Sequence, residues 1–503
     1  YGDLMAKLNK SWDDFSLNAA IGTSITDTRT SALRLDSKTA SLYYPNVFTI
    51  ANINMSSSAY IEESDDARRQ MQSFFAMAQL GYKESLYLDV TARNDWSSTL
   101  AFTERKSRGF FYPSVGLSWI IPKSFSMPSL ISFGKVRASW SKVGNDIPLF
   151  VSNTVGHIAA GGIPQPNDTA PFGTLKPEMS SSFEIGTEWK FFDYRMDVDL
   201  TFYKTNTKEQ LFSLPSSAGA AYKYYFVNAG NIQNMGVELT LGAVPILTNQ
   251  FKWNTTLNFS RNKNEVKKLH DDLASFIQGN EGFSSSYAMR LVEGGSFGDI
   301  YGKAFERDKY GAIVYGRDGL PQEIGSGNTV KVGNCNPAFL LGWGNSFTYK
   351  DFSYYFLIDG HFGGEVLAQT QAVLDQIGVS KVSGEARTMG YVDLEGHHIY
   401  NIKGFYEQVG GRNGVTEYYM YNATNIRLRE LSLGYTLPKR LLGRKQFVKK
   451  AELSFVARNL FFIYKKAPFD PDAILSVSNS NQGIDIFGIP TTRSVGFNVK
   501  LSF

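Results

Sequence analysis

The last ten residues alternate without a break. In Ser494-Val495-Gly496-Phe497-Asn498-Val499-Lys500-Leu501-Ser502-Phe503 every odd position is apolar and every even one is small or polar. Successive side chains of a strand point to opposite faces, so this segment predicts a strand with one oily and one wet face. The closing strand of an outer-membrane barrel has this form, with lipid outside, water or a plug inside, and an aromatic residue at the interface. An ordinary antiparallel strand shares the alternation, so the rest of the chain has to decide.

A barrel of this kind joins its strands alternately by short periplasmic turns and longer outer loops. Alternation places strands near Trp12–Ile21, Gln70–Gly81, Leu86–Arg93, Phe110–Ile120 and Phe133–Val143. Further strands follow near Ser181–Phe191, Arg195–Thr205, Asn231–Val244, Phe251–Phe259, Tyr287–Val292 and Phe297–Phe305. The last are near Phe339–Tyr349, Phe352–Ile358, Ala423–Leu437 and Lys450–Phe461, ahead of the closing strand. The fold class predicted is all-β, a transmembrane antiparallel barrel with about sixteen strands in this chain. Connections alternate as the barrel requires: tight at Tyr82–Glu84, Phe192–Tyr194 and Lys350-Asp351, long at Gly144–Met179, Gly363–Asn422 and Phe462–Thr491. Within Ala423–Leu437 the apolar phase slips from even to odd, which marks Arg429-Glu430 as a β-bulge. With Phe503 on the periplasmic side, the long loops face outward.

Composition fits. The 503 residues include 27 Tyr and 37 Phe, and Tyr rings suit bilayer interfaces. A Tyr-rich carbohydrate-binding β protein would share that usage. No run approaches the ~18 apolar residues of a spanning helix, whereas a spanning strand needs only ~9–11 with half of them polar. The net charge of +4 is small and its charges are interspersed, so no nucleic-acid stripe is present. The single Cys335 excludes an internal disulfide. Tyr1-Gly2-Asp3-Leu4 has no charged n-region and no apolar core, so any export signal is expected upstream, in a longer protein.

Several segments resemble the SusC/RagA family of TonB-dependent outer-membrane transporters of Bacteroidetes. They include Arg93-Asn94-Asp95-Trp96-Ser97-Ser98-Thr99-Leu100, Leu175-Lys176-Pro177-Glu178 and Asn228-Ala229-Gly230-Asn231-Ile232. The most specific is Arg427-Leu428-Arg429-Glu430-Leu431-Ser432-Leu433-Gly434-Tyr435-Thr436-Leu437-Pro438. The resemblance implies a cell outer-membrane barrel of about 22 strands filled by a plug. Residues 1–503 would then be its C-terminal part, with the plug and first strands not in this chain. It also implies TonB–ExbB–ExbD energy coupling, a SusD-like surface lipoprotein as lid, and an oligosaccharide or oligopeptide substrate. A dimer of transporter–lid pairs belongs to the same expectation.

No catalytic set stands out. His397-His398 lacks ligand spacing and reads as a polar loop. Gly161-Gly162 and Gly294-Gly295 read as turns rather than phosphate loops. The basic run Lys439, Arg440, Arg444, Lys445, Lys449 and Lys450 reads as a solvated periplasmic turn that could touch anionic headgroups. Inward acids such as Asp89, Asp197, Asp199 and Glu452 are expected to pair with cations. Residues expected to touch ligand or lid are Asn94, Asp95 and Trp96 at the outer rim, Tyr222, Tyr224 and Tyr225 in an outer loop, and Asp470 and Asp472. The last two flank Pro471 and are the one place where a calcium ion is conceivable; no other cofactor is expected. Phe497, Val499, Leu501 and Phe503 are the assembly signal of the closing strand. Import of an oligomeric nutrient is the leading function, with a siderophore receptor, an outer-membrane hydrolase and an adhesin as rivals.

Overall fold

The computed structural model describes residues 1–36, 40–54, 60–103, 109–152, 154–159, 163–165, 167–172, 176–216, 219–270, 273–279, 286–324, 330–442, 447–475 and 481–503. Fifteen strands hydrogen-bond in one sheet whose order is the order of the chain. They are β1 (Gly2–Trp12), β2 (Phe15–Asp36), β3 (Tyr60–Tyr82), β4 (Leu86–Ser97) and β5 (Phe110–Ile120). Next come β6 (Ile131–Asn145), β7 (Glu178–Phe191), β8 (Met196–Pro215), β9 (Tyr224–Leu247) and β10 (Phe251–Lys268). The last are β11 (Phe339–Tyr349), β12 (Phe352–Phe362), β13 (Asn425–Thr436), β14 (Lys450–Lys465) and β15 (Ser494–Ser502). None of the described helices is long and apolar enough to cross a membrane.

Two compact units divide the chain: Tyr1–Ser124 with Arg137–Glu184 and Thr205–Ile232, and Phe125–Val136 with Ile185–Lys204 and Gln233–Phe503. In the first, β1 to β5 are consecutive antiparallel hairpins. The strand expected near Trp12–Ile21 is two strands. Asp13-Asp14 is a turn, with Asp13 at φ 45°, and it brings Trp12 opposite Phe15 with their rings stacked 6.0 Å apart. The apolar phase passes from even positions (Leu4, Leu8, Trp12) to odd ones (Phe15, Leu17, Ile21) across it, as a two-residue turn requires.

In the second unit β11 and β12 meet through the expected two-residue turn, with Tyr349 opposite Phe352 and Lys350 at φ 52°. The predicted bulge is present. Leu357 and Ile358 of β12 face Glu430 and Leu428 of β13, which leaves Arg429 as the extra residue. A bulge bends its strand and re-aims the inserted side chain. Here it turns the Arg429 guanidinium onto Asp359, with Nε 2.9 Å from Oδ2.

The segments Tyr287–Val292 and Phe297–Phe305 are not barrel strands. Tyr287–Val292 pairs within a separate four-stranded sheet with Ser275–Gly279, Asp299–Gly302 and Val330–Asn334. Its Tyr287, Ala288, Met289 and Leu291 are all at most 1% exposed. A barrel strand leaves one face to lipid, so a segment covered on both faces belongs to a globular core. That core also takes in the long connection after β12. It contains a strand Glu365–Ala368, helices α1 (Gln369–Gln376), α2 (Lys381–Met389) and α3 (Ile402–Val409), and a hairpin of Val392–Leu394 with His397–Ile399. Ile484–Asp485, from the connection before β15, pairs in parallel with Leu367 and Ala368. Three connections thus fold into one inserted domain.

The closing strand lies where alternation put it. Ala451, Leu453 and Phe455 of β14 face Leu501, Val499 and Phe497 of β15, and the Phe455 and Phe497 rings meet at 5.6 Å. Val499 is on the apolar face and Asn498 on the polar one. Arginine at a lipid-facing midplane position costs about 2–4 kcal/mol. Val499→Arg is therefore expected to lower the heat-modifiable, folded fraction of barrel in the outer membrane severalfold, while Asn498→Arg leaves it near wild type.

Candidate functional site

The inserted domain is held by aromatic rings. Phe405 is fully buried, and its ring meets Tyr406 and Tyr418 edge-on at 5.3 Å each, while Tyr418 meets Tyr419 at 4.9 Å. Edge-to-face pairs add about 0.5–1.5 kcal/mol each beyond area burial. The sequence places them by local rules. Asn401 caps α3, its side chain accepting from the Gly404 amide at 3.0 Å, and Phe405, Tyr406 and Val409 fall on the buried face of that helix. The Tyr419 hydroxyl donates to the buried Asp375 carboxylate at 3.0 Å, and burial raises the Tyr419 phenol well above its ordinary value. Burial also pushes Tyr406 up to about 12. Both hydroxyls stay protonated, and that of Tyr419 serves as a neutral donor.

One buried cation ties this domain to the wall. Arg427 of β13 is 2% exposed. Its Nη2 lies 3.2 Å from Asp470 Oδ1 and 2.7 Å from Asp472 Oδ2, and its guanidinium sits 4.4 Å over the Phe462 ring. Asn425 Oδ1 accepts from the same guanidinium at 3.4 Å. The bulge residue Arg429 adds a second cation, 3.5 Å from Asp472, and also donates to Asn459 at 3.2 Å. Burial works to raise the Asp470 carboxyl. The Thr491 hydroxyl, the Asp472 amide and Arg427 outweigh it, so the group sits below the usual carboxylate range. Arg427 thereby fixes the start of the connection 466–493 against β13 and β14.

Beside the clamp lies a cavity of about 320 Å³, lined by Cys335, His361, Glu365, Asp472 and Gln482 among others. The His361 Nε2 atom is buried without a hydrogen-bond partner. The Cys335 thiol donates to Gln482 Oε1 at 3.6 Å and burial pushes it up to about 11, so it stays a thiol rather than a nucleophilic thiolate. The cavity is equipped to hold a polar group rather than to attack one.

The residues singled out from sequence fall in different places. Asp95 is buried and accepts from Arg93 Nε at 2.7 Å, so it braces the end of β4, next to Asn94; Trp96 is 38% exposed. Close by, the Ser97 and Thr99 hydroxyls donate to Asp146 at 2.7 and 2.6 Å. Tyr222, Tyr224 and Tyr225 are exposed, beside an ion pair of Lys223 with Asp168 at 2.8 Å. Asp470 and Asp472 are engaged by Arg427 and Arg429, which supply the positive charge a calcium ion would bring. Among the described residues no group of three or more His, Cys, Asp or Glu is placed to hold a metal.

His397 and His398 lie in a hairpin and stack separately, on Tyr315 at 4.0 Å and on Tyr391 at 3.9 Å. Gly294 takes φ 79° in a turn closed by Gly295 to Val292. Gly161-Gly162, Leu175, Arg444 and Lys445 lie outside the described residues. Of the inward acids, Glu452 pairs with Lys450 at 3.3 Å, Asp89 accepts from Gln79 at 2.8 Å, and Asp199 accepts from Thr201 at 3.3 Å. Asp197 packs against Gly242, whose missing side chain leaves room for its carboxylate. Sequence reasoning missed Arg427. Its signal was a charge at an inward strand position with two aspartates of Asp470-Pro471-Asp472 as the partners.

A chain-ordered sheet of antiparallel strands with one apolar face has the form of a membrane β-barrel wall. Residues 1–281 match the family described as TonB dependent receptor-like, beta-barrel, and the chain belongs to it. It is 26% identical over 489 residues to TonB-dependent receptor P3 of Formosa agariphila, covering 89% of this chain and 47% of that protein. It is 22% identical over 491 residues to TonB-dependent receptor SusC of Bacteroides thetaiotaomicron, covering 88% and 46%. The chain therefore spans about half the length of the relatives it matches. Its fold is similar to that of the RagAB peptide importer in the open-open state, with TM-score 0.76, 19% identity, and coverage of 100% of this chain and 54% of that one. The outer membrane transporter YddB from Escherichia coli gives TM-score 0.53 at 12% identity, covering 100% and 53%. Members of this family are outer-membrane proteins, and the relatives the chain matches are named TonB-dependent receptors, SusC among them.

Proposed function

We propose that this chain forms the C-terminal part of the barrel of a TonB-dependent importer that takes up an oligomeric nutrient, a glycan oligosaccharide or an oligopeptide. The remaining strands and a plug come from its N-terminal part, and a SusD-like lipoprotein covers the loop side. With Phe503 periplasmic, the inserted domain stands at the outer rim. Its exposed Tyr310 and Tyr400, 82% and 75% accessible, offer rings that stack on sugars or grip a peptide backbone. Asn94, Trp96 and the Tyr222–Tyr225 loop are assigned to ligand or lid contact. A plugged lumen passes nothing by diffusion, so energy arrives through TonB with ExbB and ExbD. The transporter–lid unit is assigned as a dimer.

One observation supports this reading: the fold follows that of the RagAB peptide importer over the whole chain at TM-score 0.76, against 0.53 over the same span for the outer membrane transporter YddB. The test is purification of the complete transporter from its own outer membrane, followed by uptake of labelled oligosaccharide and oligopeptide pools by intact cells. A stoichiometric surface lipoprotein and TonB-dependent uptake of one pool are expected. Purification without a lipoprotein, together with growth dependent on a ferric siderophore, would overturn it.

A further inference from the structure

The first unit carries a cavity of about 780 Å³ that lies on the apolar side of the wall. Three lysines line it, Lys142, Lys176 and Lys208, together with Phe111, Trp140 and Asn206. The face follows from the pairs across the strands. Thr91 with Ser114, Arg137 with Glu184, Ser180 with Thr207 and Ser182 with Thr205 are polar contacts on the inner face. Alternation then puts Phe111, Trp140, Lys142, Ser181, Asn206 and Lys208 on the other face. The Trp140 indole donates to Ser181 at 3.0 Å, which holds that side together. The same face continues into Val115, Leu117 and Phe183, each more than 40% exposed.

The lysines sit where that apolar belt ends, on the long-loop side. Bare lysines on a lipid-facing surface are costly unless they reach water or anionic headgroups. Of the three, Lys176 is the one with a carboxylate, Glu209 at 3.4 Å. Among the described residues Lys142 and Lys208 have no ion-pair partner. The site therefore holds two uncompensated positive charges over an apolar floor, with Asn206 and the Trp140 ring beside them.

We infer that this cavity binds the phosphate-bearing sugar headgroup of an anionic outer-leaflet glycolipid, with Lys142 and Lys208 on the phosphate and the acyl chains along Phe111, Val115 and Leu117. The inference needs only the membrane placement of the barrel, not the importer reading. A free phosphate anion shares the headgroup chemistry but has no use for the apolar floor, so the two sources are separable.

The test is native mass spectrometry on the complete transporter, delipidated in detergent and titrated with bis-phosphorylated lipid A, its dephosphorylated form, and inorganic phosphate. Bis-phosphorylated lipid A is expected to bind. At about 1 kcal/mol per lysine near a charged surface, the Lys142→Gln/Lys208→Gln double variant should bind it about 30-fold more weakly. Lys252→Gln/Lys350→Gln, at the short-turn end, should bind it like wild type, and heat-modifiability confirms that both variants are folded. Equal binding of the dephosphorylated lipid would overturn the inference. So would unchanged binding by the Lys142/Lys208 variant, or displacement of the lipid by inorganic phosphate at equal concentration.

Discussion

Replacing Arg427 with methionine should release the connection 466–493 from the wall while leaving the strands paired. The substitution fills most of the volume but takes their buried cation from two carboxylates, leaving Asp470, at 8% side-chain exposure, without an ion-pair partner and Asp472, at 30%, with Arg429 alone. Removing one partner of a buried ion pair costs about 3–5 kcal/mol, mostly because the remaining charge has lost its compensation. Proteolysis and amide exchange are expected to rise sharply across 466–493. Arg427→Lys should recover only part of the loss, since an ammonium cannot reach both carboxylates and lie over Phe462 as the planar fork does. Arg427→Met combined with Asp470→Asn and Asp472→Asn should recover more.

The pH dependence has a definite sign. In the wild type the Asp470 carboxyl is held below its ordinary value, so its contribution is fully present above about pH 3.9. It is lost as the pH falls through the lowered native value. In Arg427→Met the arginine's contribution is gone while the Thr491 hydroxyl and the Asp472 amide remain, so the carboxyl is held down less. The variant's segment should then loosen at a higher pH on acidification than the wild type's, with a shallower overall pH dependence. A parallel pH profile for the two proteins would remove Arg427 from this role.

Period-two alternation was enough to find the wall, because lipid on one side and water on the other impose it residue by residue. The same rule exposed the bulge, since one extra residue at Arg429 reverses the phase of everything after it. It failed where that environment ends. Tyr287–Val292 is apolar on both faces and still passed for a strand of the sheet. Helices α1 to α3 are eight or nine residues long, too short to show a helical period against their flanks. The turn at Asp13-Asp14 is betrayed by a phase change from even to odd, but with only two polar residues between Trp12 and Phe15 it passed for part of one strand. At the candidate site Asp470 and Asp472 were picked out as notable, but as ligand contacts. Their partner Arg427 is 43 residues away from Asp470, and only tertiary packing joins them.

Phe405→Ala should melt the inserted domain and leave the barrel standing. The side chain is fully buried on the inner face of α3 and supports both the Tyr406 and Tyr418 rings. Truncating such a phenylalanine costs about 3–5 kcal/mol in transfer and cavity terms. A domain of three short helices and strands of two to six residues has little stability to lose. Its helices cannot stand alone, because eight-residue helices are marginal in water without tertiary packing. The wall is different: β10 to β15 hold their ladders by backbone pairing that does not involve Phe405. Amide protection should therefore vanish over α1, α3 and the Glu365–Ala368 strand. It should persist over β11 to β14, with uptake by intact cells falling at least tenfold at unchanged folded barrel level. Tyr310→Ala, at a ring 82% exposed, should shift stability by less than about 0.5 kcal/mol and serves as the control. Loss of protection spreading through β11 to β14 would mean that wall and inserted domain unfold as one unit. Unchanged protection in α1 and α3 would mean that the aromatic cluster is not what holds the domain.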